Sequence, residues 1–120
     1  ILAERLLRQG KRSEADSFFR SVVDAYPETP IADEAAFRRA QLTLELGNYT
    51  RAVEQLAAIQ DSPLGDLAAV MTGEVDDRYL FNNEEAEVWY FKVLEEYPES
   101  LLTEPVRYRL REITKRNELN

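Results

Sequence analysis

The chain contains no cysteine and no histidine in its 120 residues. That excludes disulfides and any zinc site built on thiolate or imidazole. It also excludes catalysis by a histidine base or a cysteine nucleophile. Four glycines and five prolines are few, and sandwiches or Gly-rich phosphate loops use more glycine. Apolar runs reach only about five residues, as in 67–71, too short to cross a membrane. The chain opens on Ile1 without an initiator methionine, which predicts a segment upstream of it.

What remains is an acidic chain of ordinary apolar content, 44% hydrophobic with net charge −8. Its length predicts one domain, large enough to bury a core without staples. The charge is uneven. Residues 1–60 carry eight basic and nine acidic side chains, residues 61–100 two and eleven, and residues 101–120 five and three. The acidic block, from Asp61 to Glu99, reads as a solvated surface; its functional alternative is steering of a basic partner. Nucleic acid is disfavoured, because a phosphate backbone wants clustered Lys and Arg.

Three stretches of the chain repeat. EADSFFRSVVDAYPETP carries Ala15, Phe19, Val22 and Pro27; RAVEQLAAIQDSP carries Ala52, Leu56, Ile59 and Pro63; EAEVWYFKVLEEYPES carries Ala86, Tyr90, Val93 and Pro98. A small residue followed by large apolar residues four and seven positions on is one stripe of a helix. The proline then ends it. Each stretch is expected to be a helix of about 14 residues. Gly10, Gly47-Asn48 and Asn82-Asn83 mark turns before them. Partner helices are expected at Leu2–Gln9, Asp33–Leu46 and Gly65–Leu80, and a last one at Glu104–Lys115 with Pro105 in its first turn. Seven helices in antiparallel pairs follow, in units of about 1–28, 29–64 and 65–99 with a capping helix at 100–116.

With these residues the chain resembles the tetratricopeptide-repeat family, whose 34-residue units end in A-x₃-F…P. The first-half pattern of that family matches poorly. In the second unit only Ala40 fits its glycine slot, and in the third Gly73 fits only if the turn at Phe81–Asn83 holds one extra residue. The resemblance implies an all-α fold, with antiparallel helix pairs stacked in a right-handed superhelix. It also implies a non-enzymatic scaffold that binds a protein or peptide segment on a concave face lined by first helices. The YPxS/T endings and the AxxFRxA text are similar to periplasmic members: the helical-repeat lipoproteins of the outer-membrane β-barrel assembly machinery and the Tol-associated coordinator proteins. That likeness implies a bacterial periplasmic or envelope location, with the cytoplasm as the alternative. The alternative is a self-association module of a larger envelope protein, a homo-oligomer.

Mapped by register, the concave face holds Glu34, Phe37, Arg38, Gln41, Leu44 and Glu45 on one helix and Tyr108, Arg109 and Glu112 on another. Aromatics beside arginine suit a peptide anchored by rings and oriented by charge. Trp89 and Tyr90 continue the stripe from Ala86 and read as core; Met71, Val75 and Tyr79 stay open between core and groove. Asp76-Asp77 and Glu84-Glu85-Glu87 lack the spacing of a metal or acid–base pair, since neighbouring helical residues point apart. No catalytic residue, cofactor or metal is expected.

Overall fold

The computed structural model describes residues 2–4 and 10–119. Residues 2–4 are helical, and six complete helices follow: α1 (Arg12–Ala25), α2 (Pro30–Glu45), α3 (Tyr49–Ala57), α4 (Gly65–Arg78), α5 (Asn83–Glu96) and α6 (Thr103–Leu119). Among the described residues there is no strand, and the fold is an all-α helical repeat. The helix expected at Leu2–Gln9 lies outside the described residues beyond its first turn. The chain forms two compact units, Ile1–Leu64 and Gly65–Asn120.

In the first unit, α1 packs on α2 and α2 on α3. The stripe of α1 does what its spacing dictates. Ala15 and Phe19 are buried with Ala3, Ala35 and Leu42, and Val22 packs at their edge. An alanine at the closest approach leaves room for a neighbouring backbone, and Phe19 fills the space one turn on. The chain then turns through Pro27. The Tyr26 N–H donates to the Val22 carbonyl, and the Thr29 hydroxyl accepts from the Ala32 N–H at 3.2 Å, capping α2 ahead of Pro30 at its first position. At the other end of α2, Gly47 takes φ +82°, a left-handed geometry that a Cβ penalises. The Asn48 N–H donates back to the Thr43 carbonyl, and the Asn48 side chain caps α3.

α3 spans nine residues, shorter than the fourteen its spacing predicts. Past Ala57 the bonds tighten to the three-residue kind, Ile59 to Leu56 and Ser62 to Ile59. The Ser62 hydroxyl donates to the Ile59 carbonyl and accepts from the Leu64 N–H, so the backbone has a local alternative to helix before Pro63. Ile59 stays buried all the same.

In the second unit, α4 packs on α5 and α5 on α6. Ala86, Tyr90 and Val93 of α5 are fully buried with Ala69 and Val70 of α4 and Val106 and Ile113 of α6. Each large apolar side chain removed from water contributes about 1.5–3 kcal/mol. Gly73 fills the glycine slot because nothing larger fits: a Cβ there would lie 2.5 Å from the Tyr90 ring. The extra residue of the following turn is visible. α4 ends at Arg78, two residues before the expected Leu80, and Phe81 takes φ +53° while the Asn82 N–H reaches back six residues to the Asp76 carbonyl at 2.8 Å. The equivalent bond at Gly47 spans five, from Asn48 to Thr43.

α6 runs four residues past the expected Lys115. No glycine or proline stops it, and Arg116 is tied to Asp77 at 2.8 Å and Asn117 to Asn83 at 3.4 Å. The endings DAYPET and EEYPES, 71 residues apart, fold alike. Tyr26 caps α1 at φ −131°, ψ 56°, and Tyr97 caps α5 at φ −129°, ψ 55°.

Candidate functional site

In the second unit, the end of α4 and the first half of α6 enclose a cleft of about 230 Å³ lined by Asp77, Arg78, Pro105, Tyr108, Arg109 and Glu112. Three of the residues that register assigns to the concave face, Tyr108, Arg109 and Glu112, therefore meet in one place. Tyr108 is 58% exposed and covers no core. Arg109 is held more firmly. It pairs with Glu74 of α4 at 2.8 Å and faces Tyr90, whose phenol burial pushes up to about 12 while Arg109 pulls the other way. Its first task is to hold α6 against α4, and what it offers to solvent is an edge. Glu112 lies 3.6 Å from Lys115, and Asp77 is engaged by Arg116. Arg78, Pro105 and Tyr108 are the exposed members of the cleft, and no ion pair engages Arg78 among the described residues.

In the first unit the assigned residues separate. Glu34 and Arg38 share a cleft of about 130 Å³ with Ala3, Glu4 and Phe19. There Arg38 pairs with Glu34 at 3.2 Å and with Glu4 at 3.8 Å. Gln41 and Leu44 are half-buried on α2. Glu45 turns to Arg12 at the start of α1, 3.1 Å away. Phe37 requires a correction: it is 6% exposed and belongs to the packed interior, so its ring cannot anchor a partner. Its counterpart 71 residues on, Tyr108, can.

Two groups of residues escaped the sequence reading. Asp77 and Arg78 line the α4–α6 cleft, but the extra residue before Asn82 blurs the register of α4. A wider cleft of about 550 Å³ between α1, α2 and α3 is lined by Arg12, Asp16, Thr43, Arg51 and Gln55 among others. Asp16, one of its lining residues, accepts from Arg39 of α2 at 2.9 Å. No spacing along one helix announces a space that three helices make together.

Asp76 is buried, and burial first, then the charge of Glu85, raises its pKa to about 6. Its nearest chemistry is structural: its carbonyl receives the turn bond from Asn82. Among the described residues no three acidic side chains converge as a metal site would require. Trp89 packs at the edge of the α5 core with Lys92 Nζ 4.9 Å from its ring. Val75 is buried, Met71 half-buried and Tyr79 exposed, so the open positions of α4 divide between core and surface.

The site therefore offers an exposed aromatic ring, a free guanidinium and fixed carboxylates on a helical wall. A family model described as Tetratricopeptide repeat matches residues 2–29, which include α1. No curated protein matches the chain. Among the described residues no helix is long and apolar enough to cross a membrane.

Proposed function

We propose that the chain is a non-enzymatic interaction scaffold that holds a segment of a partner protein against the α4–α6 cleft. The observation that carries this reading is Tyr108, a large ring of α6 standing exposed among Asp77, Arg78 and Glu112 while Val106 and Ile113 of the same helix are packed away. Rings with that combination of area and rigidity are the usual anchors of protein interfaces. The repeat match over residues 2–29 supports the class, since repeats of this kind serve protein–protein interaction. The cleft's mixed charge favours an extended segment with both signs over a purely basic one. The YPxS/T endings are our ground for placing the protein in a bacterial envelope, which cell fractionation tests.

The binding test uses a photo-crosslinking amino acid at position 108 in the native host, with position 20, exposed on α1, as control. A partner captured from 108 and not from 20 is then titrated against Tyr108→Ala. Binding should weaken by about 30-fold, the effect of losing a 2 kcal/mol anchor, with an unchanged melt. If position 108 crosslinks only to a second copy of the chain, self-association replaces this reading.

A further inference from the structure

The two units, compared by register, treat one helix face in opposite ways. α1 and α2 correspond to α5 and α6 at a spacing of 71 residues: Ala15 to Ala86, Phe19 to Tyr90, Ala35 to Val106 and Leu42 to Ile113, all buried. In the first unit, α3 packs on α2, and Ala40 and Thr43 of α2 are buried outside the cluster that α2 forms with α1. Their counterparts in the second unit, Arg111 and Thr114, are exposed. The local geometry is the same in both: Thr43 bonds the Arg39 carbonyl and Thr114 the Leu110 carbonyl, each at 3.0 Å.

That exposed face is a cleft of about 340 Å³ formed by Phe91 of α5 with Leu110, Arg111, Thr114, Lys115 and Glu118 of α6. Its chemistry is altered in a consistent way. Where α1 and α2 have Arg20 and Arg39, the second unit has Phe91 and Leu110, an apolar floor; Phe91 is 48% exposed. Where α2 has Ala40 and Leu44, α6 has Arg111 and Lys115, a cationic rim. Among the described residues no ion pair engages Arg111. Lys115 is shared with Glu112 at 3.6 Å and Glu118 also lines the cleft, so with two cations to one carboxylate in its lining the face is net positive in a chain of net charge −8.

We propose that the α5–α6 face seats an acidic amphipathic helix of a partner protein, lying on α6 as α3 lies on α2. The register fixes the shape of the occupant: a helix with a small residue, then large apolar residues four and seven positions on, as Ala52 and Leu56 of α3 and Ile59 just beyond it provide. The rim fixes its charge: carboxylates along the edge that meets Arg111 and Lys115. The rim adjoins Tyr108, since Arg111 and Lys115 follow it by three and seven residues on one stripe of α6, whereas the floor of Phe91 and Leu110 lines only the α5–α6 cleft, and that floor separates this surface from the α4–α6 cleft.

The probe is a fluorescent, stapled helical peptide carrying the Ala-x₃-Leu-x₂-Ile stripe with glutamates on one flank, titrated by anisotropy against the 120-residue chain. Saturable binding is expected. Phe91→Asp, and separately the Arg111→Glu, Lys115→Glu double variant, should each weaken it by about ten-fold or more, with melts confirming that both variants fold. A peptide with lysines in place of the glutamates should recover affinity for the double variant. Absence of saturable binding, or binding indifferent to Phe91→Asp, overturns the proposal. So does sedimentation showing that the chain dimerises through this face, because the occupant is then a second copy.

Discussion

Gly73 and Asp76 sit one turn apart on α4 and are constrained by different physics. At Gly73 the constraint is volume. Replacing glycine by alanine in an exposed helix helps by about 1 kcal/mol. Here the new methyl would meet the Tyr90 ring at 2.5 Å, in a core with no slack. Gly73→Ala should therefore destabilise by about 1–3 kcal/mol in chemical denaturation, and Tyr90→Leu in the same chain should remove most of that specific penalty. At Asp76 the constraint is charge. Its pKa is about 6 in the folded chain against 3.8 for the free side chain, so the folded state binds the proton more tightly. Its contribution to stability improves as pH falls from about 6 to about 4 and worsens on the way back up. Asp76→Asn should stabilise by about 1–3 kcal/mol at pH 7.5, and the gain should vanish near pH 4. The glycine was legible in the sequence because the repeat assigns it a slot. The buried aspartate was not, because Asp76-Asp77 reads as solvent-facing charge until α4 is seen to rotate Asp76 inward.

At the scale of elements, the alanines of the three stripes were readable because helical spacing alone places them. Ala15, Ala52 and Ala86 are all fully buried, whereas Ala57, five residues past Ala52, is exposed. Ala52→Leu should cost about 1–3 kcal/mol by overpacking, and Ala57→Leu should leave the melt nearly unchanged. Equal effects would refute the register. Phe37 shows the limit of this reasoning. One helix reveals which residues share its stripe, but whether a ring off that stripe is covered depends on neighbours that the stripe does not encode. Phe37 is covered and Tyr108 is bare, although both stand at the same position of the repeat. The helix ends follow the same rule. Gly47 announced one, whereas α3 stops at Ala57, well before Pro63, and the early end of α4 depends on a turn widened by one residue, and that residue, Phe81, is no turn former.

For the whole molecule, helix content was the most legible property, since composition, spacing and punctuation all agree on it. Circular dichroism should give a strongly helical spectrum, and the melt should not move with reductant, because there is no thiol to respond. Charge was legible as a block and not as a pattern. The acidic stretch of residues 61–100 looked like one solvated surface, yet Glu74 and Asp77 are taken up by Arg109 and Arg116 of α6.

The order in which the helices pack has a further consequence, and it concerns time. Among the described residues, the largest helix–helix interfaces join helices successive in the chain: α1 with α2, α2 with α3, α4 with α5, α5 with α6. Each such interface forms by closing a loop of a few residues, so little chain entropy is lost before the contact forms. Chains dominated by contacts of this range fold in microseconds to milliseconds, where sheet proteins of the same size need milliseconds to seconds. Refolding by rapid dilution from denaturant should be essentially complete within the first few milliseconds of a stopped-flow trace. A newly made chain can then bury each helix pair soon after its second helix is complete, with little apolar stripe left waiting in water.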